Sequence, residues 1–186
     1  MAKLELIFGP MFAGKSCELI RRIRLLNVCE KKFLIVKPQI DTRYAESHIV
    51  SHNFDKEECL ALKNLSDIFN ETIYKNLKEN INTLFIDEAQ FFTNIKEPIL
   101  KILEEDNINI VMTGLDGDSN RNKFGEILDL IPYCDKCEKI TALCQICKDG
   151  TPGIFSYRKT VDKNQVHLGA GDEYMAVCRK HYLELG

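Results

Sequence analysis

The strongest chemical signal in the sequence is an eight-residue segment near its start, which reads Gly9, Pro10, Met11, Phe12, Ala13, Gly14, Lys15 and Ser16. The segment has the form G-x-x-x-x-G-K-[ST] and stands between an apolar run and an amphipathic stretch. In loops of this form, backbone N–H groups turn inward around phosphate oxygens, the lysine adds a positive charge and the hydroxyl binds Mg²⁺. We therefore predict a nucleotide phosphate site, with Lys15 facing the β- and γ-phosphates and Ser16 at the metal.

A second signal is an acidic pair that follows the apolar run at residues 83–86. Asp87 stands at the expected carboxyl end of a strand, where it would face the phosphate loop and hold Mg²⁺ through water. Glu88 is one residue further along and is free to orient or deprotonate a nucleophile. The pair therefore predicts a metal-binding carboxylate beside a general base.

The cysteines form a third pattern, because five of the eight fall between positions 134 and 178. C-x-x-C pairs clustered in this way, in a chain without a recognisable secretion signal, are typical of a metal site rather than of disulfides. A C-x-x-C pair and a distant C-x-x-H pair suit a tetrahedral zinc site formed by Cys144, Cys147, Cys178 and His181. A Cys₄ site could instead be formed by Cys134, Cys137, Cys144 and Cys147. The spacing favours the first set and leaves the second open.

The elements that must position these residues alternate along the first 131 positions. Short apolar runs typical of buried parallel strands occupy residues 4–8, 33–36, 83–86 and 108–112. Apolar residues recur at helical spacing after Ser16, as in Leu19, Ile20 and Ile23, and again over residues 64–77 and 95–105. This alternation predicts an α/β fold, a parallel P-loop sheet flanked by helices.

The pattern changes near Pro132, where the periodicity weakens and Cys, Gly, Lys and Asp become frequent. A segment of 55 residues without strong periodicity does not readily form a core of its own, and a structural metal is the usual remedy. We therefore predict a P-loop ATP-binding domain over residues 1–131 and a small zinc-binding domain over residues 132–186.

Composition excludes several classes of protein. Of the 186 residues, 45% are hydrophobic and 28% are charged, and the net charge is −3, which is ordinary for a globular protein. No apolar run approaches 18 residues, and Glu5, Gly9 and Pro10 interrupt the only candidate signal peptide, so we expect a cytoplasmic protein without a membrane partner.

Taken together, the motifs resemble the type II thymidine kinases, the family that also contains the human cytosolic enzyme. The resemblance covers nearly the whole chain and is carried, in the family's order, by GPMFAGKS (9–16), CELIRRIR (17–24), DTRY (41–44), DEAQFF (87–92), GLDG (114–117), FG (124–125), residues 169–174 and CRKH (178–181). The Cys-x-x-His ending and the lack of long tails resemble the bacterial members.

The resemblance implies transfer of the ATP γ-phosphate to the 5′-hydroxyl of thymidine or deoxyuridine. In the family, the glutamate that matches Glu88 is the catalytic base, the aspartate that matches Asp87 serves the metal, and Asp41 and Arg43 match residues near the phosphates. The implied ATP-binding residues are Gly9, Pro10, Met11, Phe12, Ala13, Gly14, Lys15, Ser16, Asp41, Arg43, Asp87, Glu88 and Gln90.

On the nucleoside side, the resemblance implies a pocket closed by a zinc-anchored lasso. Gln90, Phe91 and Phe124 match positions near the nucleoside, Tyr174 lies beside the sugar, and Ser156 and Val166 lie near the base. The implied zinc ligands are Cys144, Cys147, Cys178 and His181. Family members are usually tetramers inhibited by the end-product triphosphate, so a homotetramer with feedback inhibition by dTTP is expected.

Two departures from the family pattern concern the pocket. Ser119 stands where many members have an aromatic residue that packs near the nucleoside, and residues 169–171 read Gly-Ala-Gly where Gly-Gly-Ala or Gly-Ala-Ser is more familiar. Both changes bear on the details of the pocket and not on the class of reaction.

Two other functions compete with this interpretation. One is a P-loop ATPase whose zinc module binds nucleic acid, but residues 132–186 carry 8 Lys and Arg against 7 Asp and Glu, which gives little attraction for a polyanion. The other is a zinc module that only binds nucleotide, for which Glu88 beside a metal-binding aspartate has no use. We therefore expect a kinase without a nucleic-acid partner.

Overall fold

The computed structural model describes residues 1–41, 48–50, 56–160, 165 and 173–186. Two residues of the predicted site, Arg43 and Val166, lie outside the described residues.

A six-stranded sheet organises the molecule. The first eight strands of the described residues are β1 (Leu4–Gly9), β2 (Phe33–Pro38), β3 (His48–Val50), β4 (Lys56–Glu58), β5 (Leu60–Leu62), β6 (Thr83–Ile86), β7 (Asn109–Leu115) and β8 (Lys136–Lys139). Six of them form this sheet. The strand order is β5-β2-β6-β7-β1-β8, and every neighbouring pair is parallel. Strands β3 and β4 form a separate antiparallel pair.

Hydrophobic side chains cover both faces of this sheet because successive residues of a strand point to opposite sides. Leu6, Leu84 and Met112 lie in the larger core, whereas the alternate residues Ile7, Phe85 and Val111 lie in a second core. The second core contains Leu19, Ile20 and Ile23 from helix α1 (Lys15–Val28). The prediction of a parallel sheet with helices on its faces is therefore confirmed.

The predicted helix over residues 64–77 is two elements in the structure. A 3₁₀ segment covers Leu65–Phe69, and helix α2 covers Glu71–Asn80. Asn70 separates them, since its φ of −53° and ψ of 137° leave the helical region and its side chain accepts a hydrogen bond from the Thr72 N–H at 3.2 Å. Asparagine is a preferred helix N-cap, so Asn70 ends one element and begins the next. The helix predicted over residues 95–105 is present as helix α3 (Lys96–Leu100), which continues as a π-helical turn, Lys101–Glu105.

Beyond the main sheet lie two short antiparallel pairs and the last helix. Strand β9 (Ala142–Leu143) pairs with β10 (Pro152–Gly153), and β11 (Phe155–Arg158) pairs with β12 (Tyr174–Val177). Helix α4 (Arg179–Leu185) follows directly. Strand β8 lies after Pro132 in the chain and nevertheless joins the main sheet beside β1, and the division of the chain at residue 131 stays a prediction. Within the described ranges, no helix has the length and apolar character that crossing a bilayer requires.

Candidate active site and metal centre

The phosphate-binding segment lies between β1 and α1, as the sequence predicts. At Gly9, an added Cβ would stand 2.1 Å from the carbonyl oxygen of Ile140, so any side chain would collide with the backbone that follows β8. Gly14 precedes the first turn of α1, where backbone N–H groups have no partner earlier in the helix. Close approach of another backbone segment therefore explains the glycine at the start of the motif. The end of the motif coincides with the N-terminus of α1.

The lysine of this segment is buried inside the curve of the loop. The Lys15 Nζ donates hydrogen bonds to the carbonyl oxygens of Pro10 at 2.7 Å and Gly9 at 3.3 Å, and the residue is 8% exposed. A buried ammonium group next to a helix N-terminus makes a strongly anion-attracting environment. The geometry therefore suits the phosphate groups of a nucleotide.

Ser16 and Asp87 are direct neighbours at the edge of the loop. The Ser16 hydroxyl donates to the Asp87 Oδ2 at 2.9 Å, and the Thr113 hydroxyl donates to the other carboxylate oxygen. Burial first, and then the negative charge of Glu88, raise the pKa of the Asp87 carboxyl to about 6, although both hydroxyls act in the opposite direction. A bound divalent cation would favour the charged form of this carboxylate.

Thr113 is a site residue that the sequence analysis missed. It lies on β7, the strand between β1 and β6 in the sheet, and is fully buried. The available signal was a hydroxyl residue inside the otherwise apolar run that forms β7. Buried hydroxyl groups require hydrogen-bond partners, and here the partner is the metal-binding candidate Asp87.

Glu88 has an unusual backbone and a fixed side chain. Its φ of 51° lies in the left-handed region, which costs on the order of 1 kcal/mol or more for a residue with a side chain. The buried Gln90 donates from Nε2 to the Glu88 carboxylate at 2.5 Å and accepts at Oε1 from the Leu115 N–H at 2.9 Å. Gln90 therefore ties the predicted base to the end of β7, a role that the sequence alone did not indicate.

Asp41 lies where the neighbouring strand β2 ends, and it is held by a buried lysine. Lys37 is 2% exposed and donates from Nζ to the carbonyl oxygens of Asp41 at 3.0 Å and His48 at 3.1 Å. Lys37 was also missed, although a single lysine at the end of an apolar strand was a visible signal. Asp41 itself is nearly buried, at 7% exposure.

The predicted nucleoside residues fall into two groups. Phe91 and Phe124 are in edge-to-face contact, with ring centroids 5.5 Å apart, close in sequence to Gln90. Ser156 on β11 accepts a hydrogen bond at Oγ from the Met11 N–H at 2.9 Å, so this hairpin contacts the phosphate loop directly. Tyr174 on β12 accepts from Nε of the buried Arg158 at 2.9 Å. The structure thus brings the C-terminal hairpin to the predicted phosphate loop.

The Cys–His cluster consists of Cys144, Cys147, Cys178 and His181, whose ligand atoms all lie within 4.8 Å of one another. The His181 Nδ1 lies 3.3 to 3.4 Å from each of the three sulfur atoms, and the sulfurs of Cys147 and Cys178 are 3.8 Å apart. Tetrahedral zinc, at about 2.3 Å from sulfur and about 2.0 Å from nitrogen, separates its ligands by roughly 3.5–3.8 Å. The donor set and its spacing fit zinc.

The environment of the cluster also favours the ligating form of one cysteine. Burial acts to raise the pKa of the Cys144 thiol, but surrounding backbone N–H groups and His181 outweigh it and lower the pKa to about 6. The upstream pair is not part of this cluster. Cys134 instead donates to the Ile131 carbonyl oxygen at 3.2 Å, and Cys137 is exposed on β8.

The fold and this arrangement define the chain as a P-loop α/β protein with a Cys₃His centre. The family profile for thymidine kinase matches residues 2–182. The chain is 38% identical to a thymidine kinase of Oryza sativa subsp. japonica over 183 residues, which are 98% of this chain and 66% of the rice protein. It therefore belongs to the thymidine kinase family.

Relatives from other organisms agree with this membership. Identity is 38% over 180 residues to thymidine kinase a of Arabidopsis thaliana, with 97% of this chain and 74% of the relative covered. Identity is 36% over 185 residues to a thymidine kinase of Ureaplasma urealyticum serovar 10, with 96% of this chain and 82% of the relative covered. The chain thus spans about two thirds to four fifths of the length of these three relatives.

Proposed function

We propose that this protein transfers the γ-phosphoryl group of ATP to the 5′-hydroxyl of thymidine, and also of deoxyuridine, in cytoplasmic nucleotide salvage for DNA synthesis. The observation that carries the proposal is the adjacency of Asp87 and Glu88. The Asp87 carboxylate accepts a hydrogen bond from the Ser16 hydroxyl of the phosphate loop, and the Glu88 carboxylate is held separately by Gln90. Membership of the thymidine kinase family supplies the identity of the acceptor.

On the donor side, phosphoryl transfer asks the protein mainly for positioning and charge neutralisation. Residues 9–16 would surround the β- and γ-phosphates, and the Lys15 ammonium group would exchange its backbone carbonyl partners for phosphate oxygens. Asp41 and Arg43 would complete the phosphate site from the end of β2. The left-handed backbone at Phe12, with a φ of 64°, is part of the tight curve that this requires.

Ser16 and Asp87 are the residues that would hold Mg²⁺. A hydroxyl and a carboxylate are hard oxygen ligands of the kind that Mg²⁺ prefers, and they already lie within 2.9 Å of each other. When bound, the ion would neutralise charge that develops on the phosphate oxygens. Thr113 would keep the Asp87 carboxylate turned toward Ser16 by bonding its second oxygen.

On the acceptor side, Glu88 would receive the proton of the nucleoside hydroxyl. Gln90 restricts the carboxylate to one orientation, which a base that must meet a single hydroxyl requires. Phe91 and Phe124 would flank the nucleoside, with Ser156, Val166 and Tyr174 contributed by the C-terminal lasso. A closed lasso would exclude water, so that the phosphoryl group passes to the sugar rather than to solvent.

The Cys–His cluster would hold one structural zinc ion. It joins the turn before β10 to the start of α4, and thereby closes the chain segment that contains β11 and β12. Because such an ion binds only the folded form, it would stabilise the segment that presents Ser156 and Tyr174. We also propose a homotetramer with feedback inhibition by dTTP, on the strength of the family resemblance.

A nucleoside panel tests the function. The purified protein, ATP and Mg²⁺ are incubated with thymidine, deoxyuridine, deoxycytidine or deoxyadenosine, and with single-stranded DNA in a separate arm. We expect ATP consumption and nucleoside monophosphate only with the first two. Consumption stimulated by DNA, without any nucleoside monophosphate, would instead support the P-loop ATPase.

A further inference from the structure

The loop after β7, residues 117–125, is a compact turn that contacts the molecule on several sides. Gly117 and Lys123 form an isolated antiparallel bridge. Inside the turn, the Asp118 carboxylate accepts hydrogen bonds from the N–H groups of Asn120 at 2.8 Å and Asn122 at 2.9 Å. The turn is therefore internally rigid, and its position depends on what holds it from outside.

One end of the 117–125 loop is pressed against the residues that position the predicted base. Gly125 has a φ of 63°, and an added Cβ there would stand 2.4 Å from the carbonyl oxygen of Gln90. The neighbouring Phe124 ring packs on Phe91. A displacement of the loop would therefore move one wall of the acceptor pocket, whereas the Gln90 side chain stays tied to the end of β7.

The other side of the loop is held by helix α4, which carries the cluster residue His181. The hydroxyl of the next residue, Tyr182, donates to the Ser119 carbonyl oxygen at 2.7 Å. The Arg121 guanidinium group lies over the rings of Tyr182 at 4.6 Å and Phe155 at 5.7 Å. Because the hydrogen bond uses the backbone of Ser119, it does not depend on the side chain at that position.

We propose that Tyr182 and Arg121 are positioning residues for the acceptor pocket. They fasten the 117–125 loop to α4, the helix that the Cys–His cluster anchors. Through α4 and the loop, the cluster therefore sets the position of Phe124 against Phe91 and Gln90. This inference rests on the proposed function, because it assigns the pocket beside Phe124 to the nucleoside. The proposal gives the Cys–His cluster an indirect part in recognition of the acceptor.

Removal of a single hydroxyl group tests the link. In Tyr182→Phe we expect the KM for thymidine to rise about three- to tenfold, the range that loss of one hydrogen bond gives. The kcat at saturating thymidine, the KM for ATP and the zinc content stay unchanged, since the variant leaves the phosphate loop and the cluster intact. Arg121→Ala should likewise raise the KM for thymidine.

The chain offers matched controls for both variants. The Tyr157 hydroxyl also donates to a backbone carbonyl, that of Leu185 at 3.0 Å, but makes this bond to the end of α4 and not to the loop. The Arg179 guanidinium group lies over Phe155 at 5.1 Å from α4 itself. Tyr157→Phe and Arg179→Ala therefore remove the same kinds of interaction without releasing the loop, and their KM for thymidine should match the wild type.

Hydrogen–deuterium exchange provides a second readout that needs no turnover. Amides of residues 117–125 should exchange faster in Tyr182→Phe than in Tyr157→Phe. An unchanged KM in Tyr182→Phe, an equal rise in both tyrosine variants, or loss of zinc from Tyr182→Phe would overturn the proposal. If the wild-type protein does not phosphorylate thymidine, the proposed function fails, and exchange alone then decides whether Tyr182 holds the loop.

Discussion

The Ser16 hydroxyl and the Asp87 carboxylate are joined by a 2.9 Å hydrogen bond, although 71 positions separate them in the chain. Ser16 stands in the first turn of α1 and Asp87 follows the last residue of β6, so the bond joins the start of a helix to the carboxyl end of a strand. Ligands bind at this edge in open α/β sheets. The pair marks the place where donor phosphates and metal would meet.

Lys15→Ala should abolish phosphoryl transfer while leaving the fold intact. The Lys15 ammonium group donates to the loop's own carbonyl groups, those of Pro10 and Gly9, so its removal chiefly subtracts the positive charge that phosphates require. We expect a loss in rate of at least about 10²-fold, the scale seen when one charge-stabilising donor is removed. Steady-state kinetics and circular dichroism measure the two effects, with Lys180→Ala, an exposed lysine on α4, as the control. Near-normal turnover with unchanged ATP affinity would refute the assignment.

Glu88→Gln should separate binding from chemistry. The amide keeps the size of the side chain but cannot accept the proton of the acceptor hydroxyl, so we expect kcat to fall about 10²-fold or more. ATP affinity should stay within about twofold, because Asp87 and the phosphate loop are unchanged. Equilibrium nucleotide binding and single-turnover rates check this, and Glu97→Gln, an exposed glutamate on α3, is the control. A variant with higher KM and normal kcat would place Glu88 in substrate binding instead.

The zinc prediction distinguishes the two cysteine sets. Cys178→Ser removes a cluster ligand and should lower the zinc content from one ion per chain, while weakening thymidine binding more than ATP binding. Cys134→Ser should do neither, since its sulfur contacts the Ile131 carbonyl oxygen outside the cluster. Metal analysis and separate titrations of the two substrates provide the measurements. Zinc lost from Cys134→Ser and kept by Cys178→Ser would show that the upstream set binds the metal.

A fourth prediction concerns pH and the ion pairs along α1. Hydrogen bonds and charge from Arg21 and Arg22 lower the pKa of the Glu18 carboxyl from 4.5 to about 2. Because the folded pKa is the lower one, the stabilisation is complete above pH 4.5 and is lost as the pH falls toward 2. Glu18→Gln should therefore reduce the free energy of unfolding by about 1 kcal/mol at pH 7 and low salt.

The difference between wild type and Glu18→Gln should shrink steadily below pH 4.5, as measured by urea unfolding over a range of pH. Glu184→Gln is the control, because that carboxylate is half-exposed and lies 3.9 Å from both Lys180 and His181, beyond hydrogen-bond distance. A difference that stays constant down to pH 3 would mean that Glu18 stabilises α1 by packing rather than by charge.

The inner strands could be predicted from the sequence because both faces of the sheet are buried there, which produces continuous apolar runs. Strands β1, β2, β6 and β7 are the four inner strands of the sheet, and each is an apolar run. The two edge strands, β5 and β8, were missed. Strand β8 reads Lys-Cys-Glu-Lys and is largely exposed, since an edge strand has one neighbour and little need for apolar residues.

The sequence by itself determined the motifs whose chemistry is local. The phosphate loop, the Asp87–Glu88 pair and each Cys-x-x-Cys or Cys-x-x-His turn need only neighbouring residues to form, so spacing along the chain specifies them. Tertiary structure alone decided which distant groups meet. Thr113 met Asp87 across 26 positions, Gln90 met Leu115 across 25, Ser156 met Met11 across 145, and Tyr182 met Ser119 across 63. The physical reason is that such contacts depend on how strands and helices dock, and docking is set by the whole buried core rather than by any short pattern.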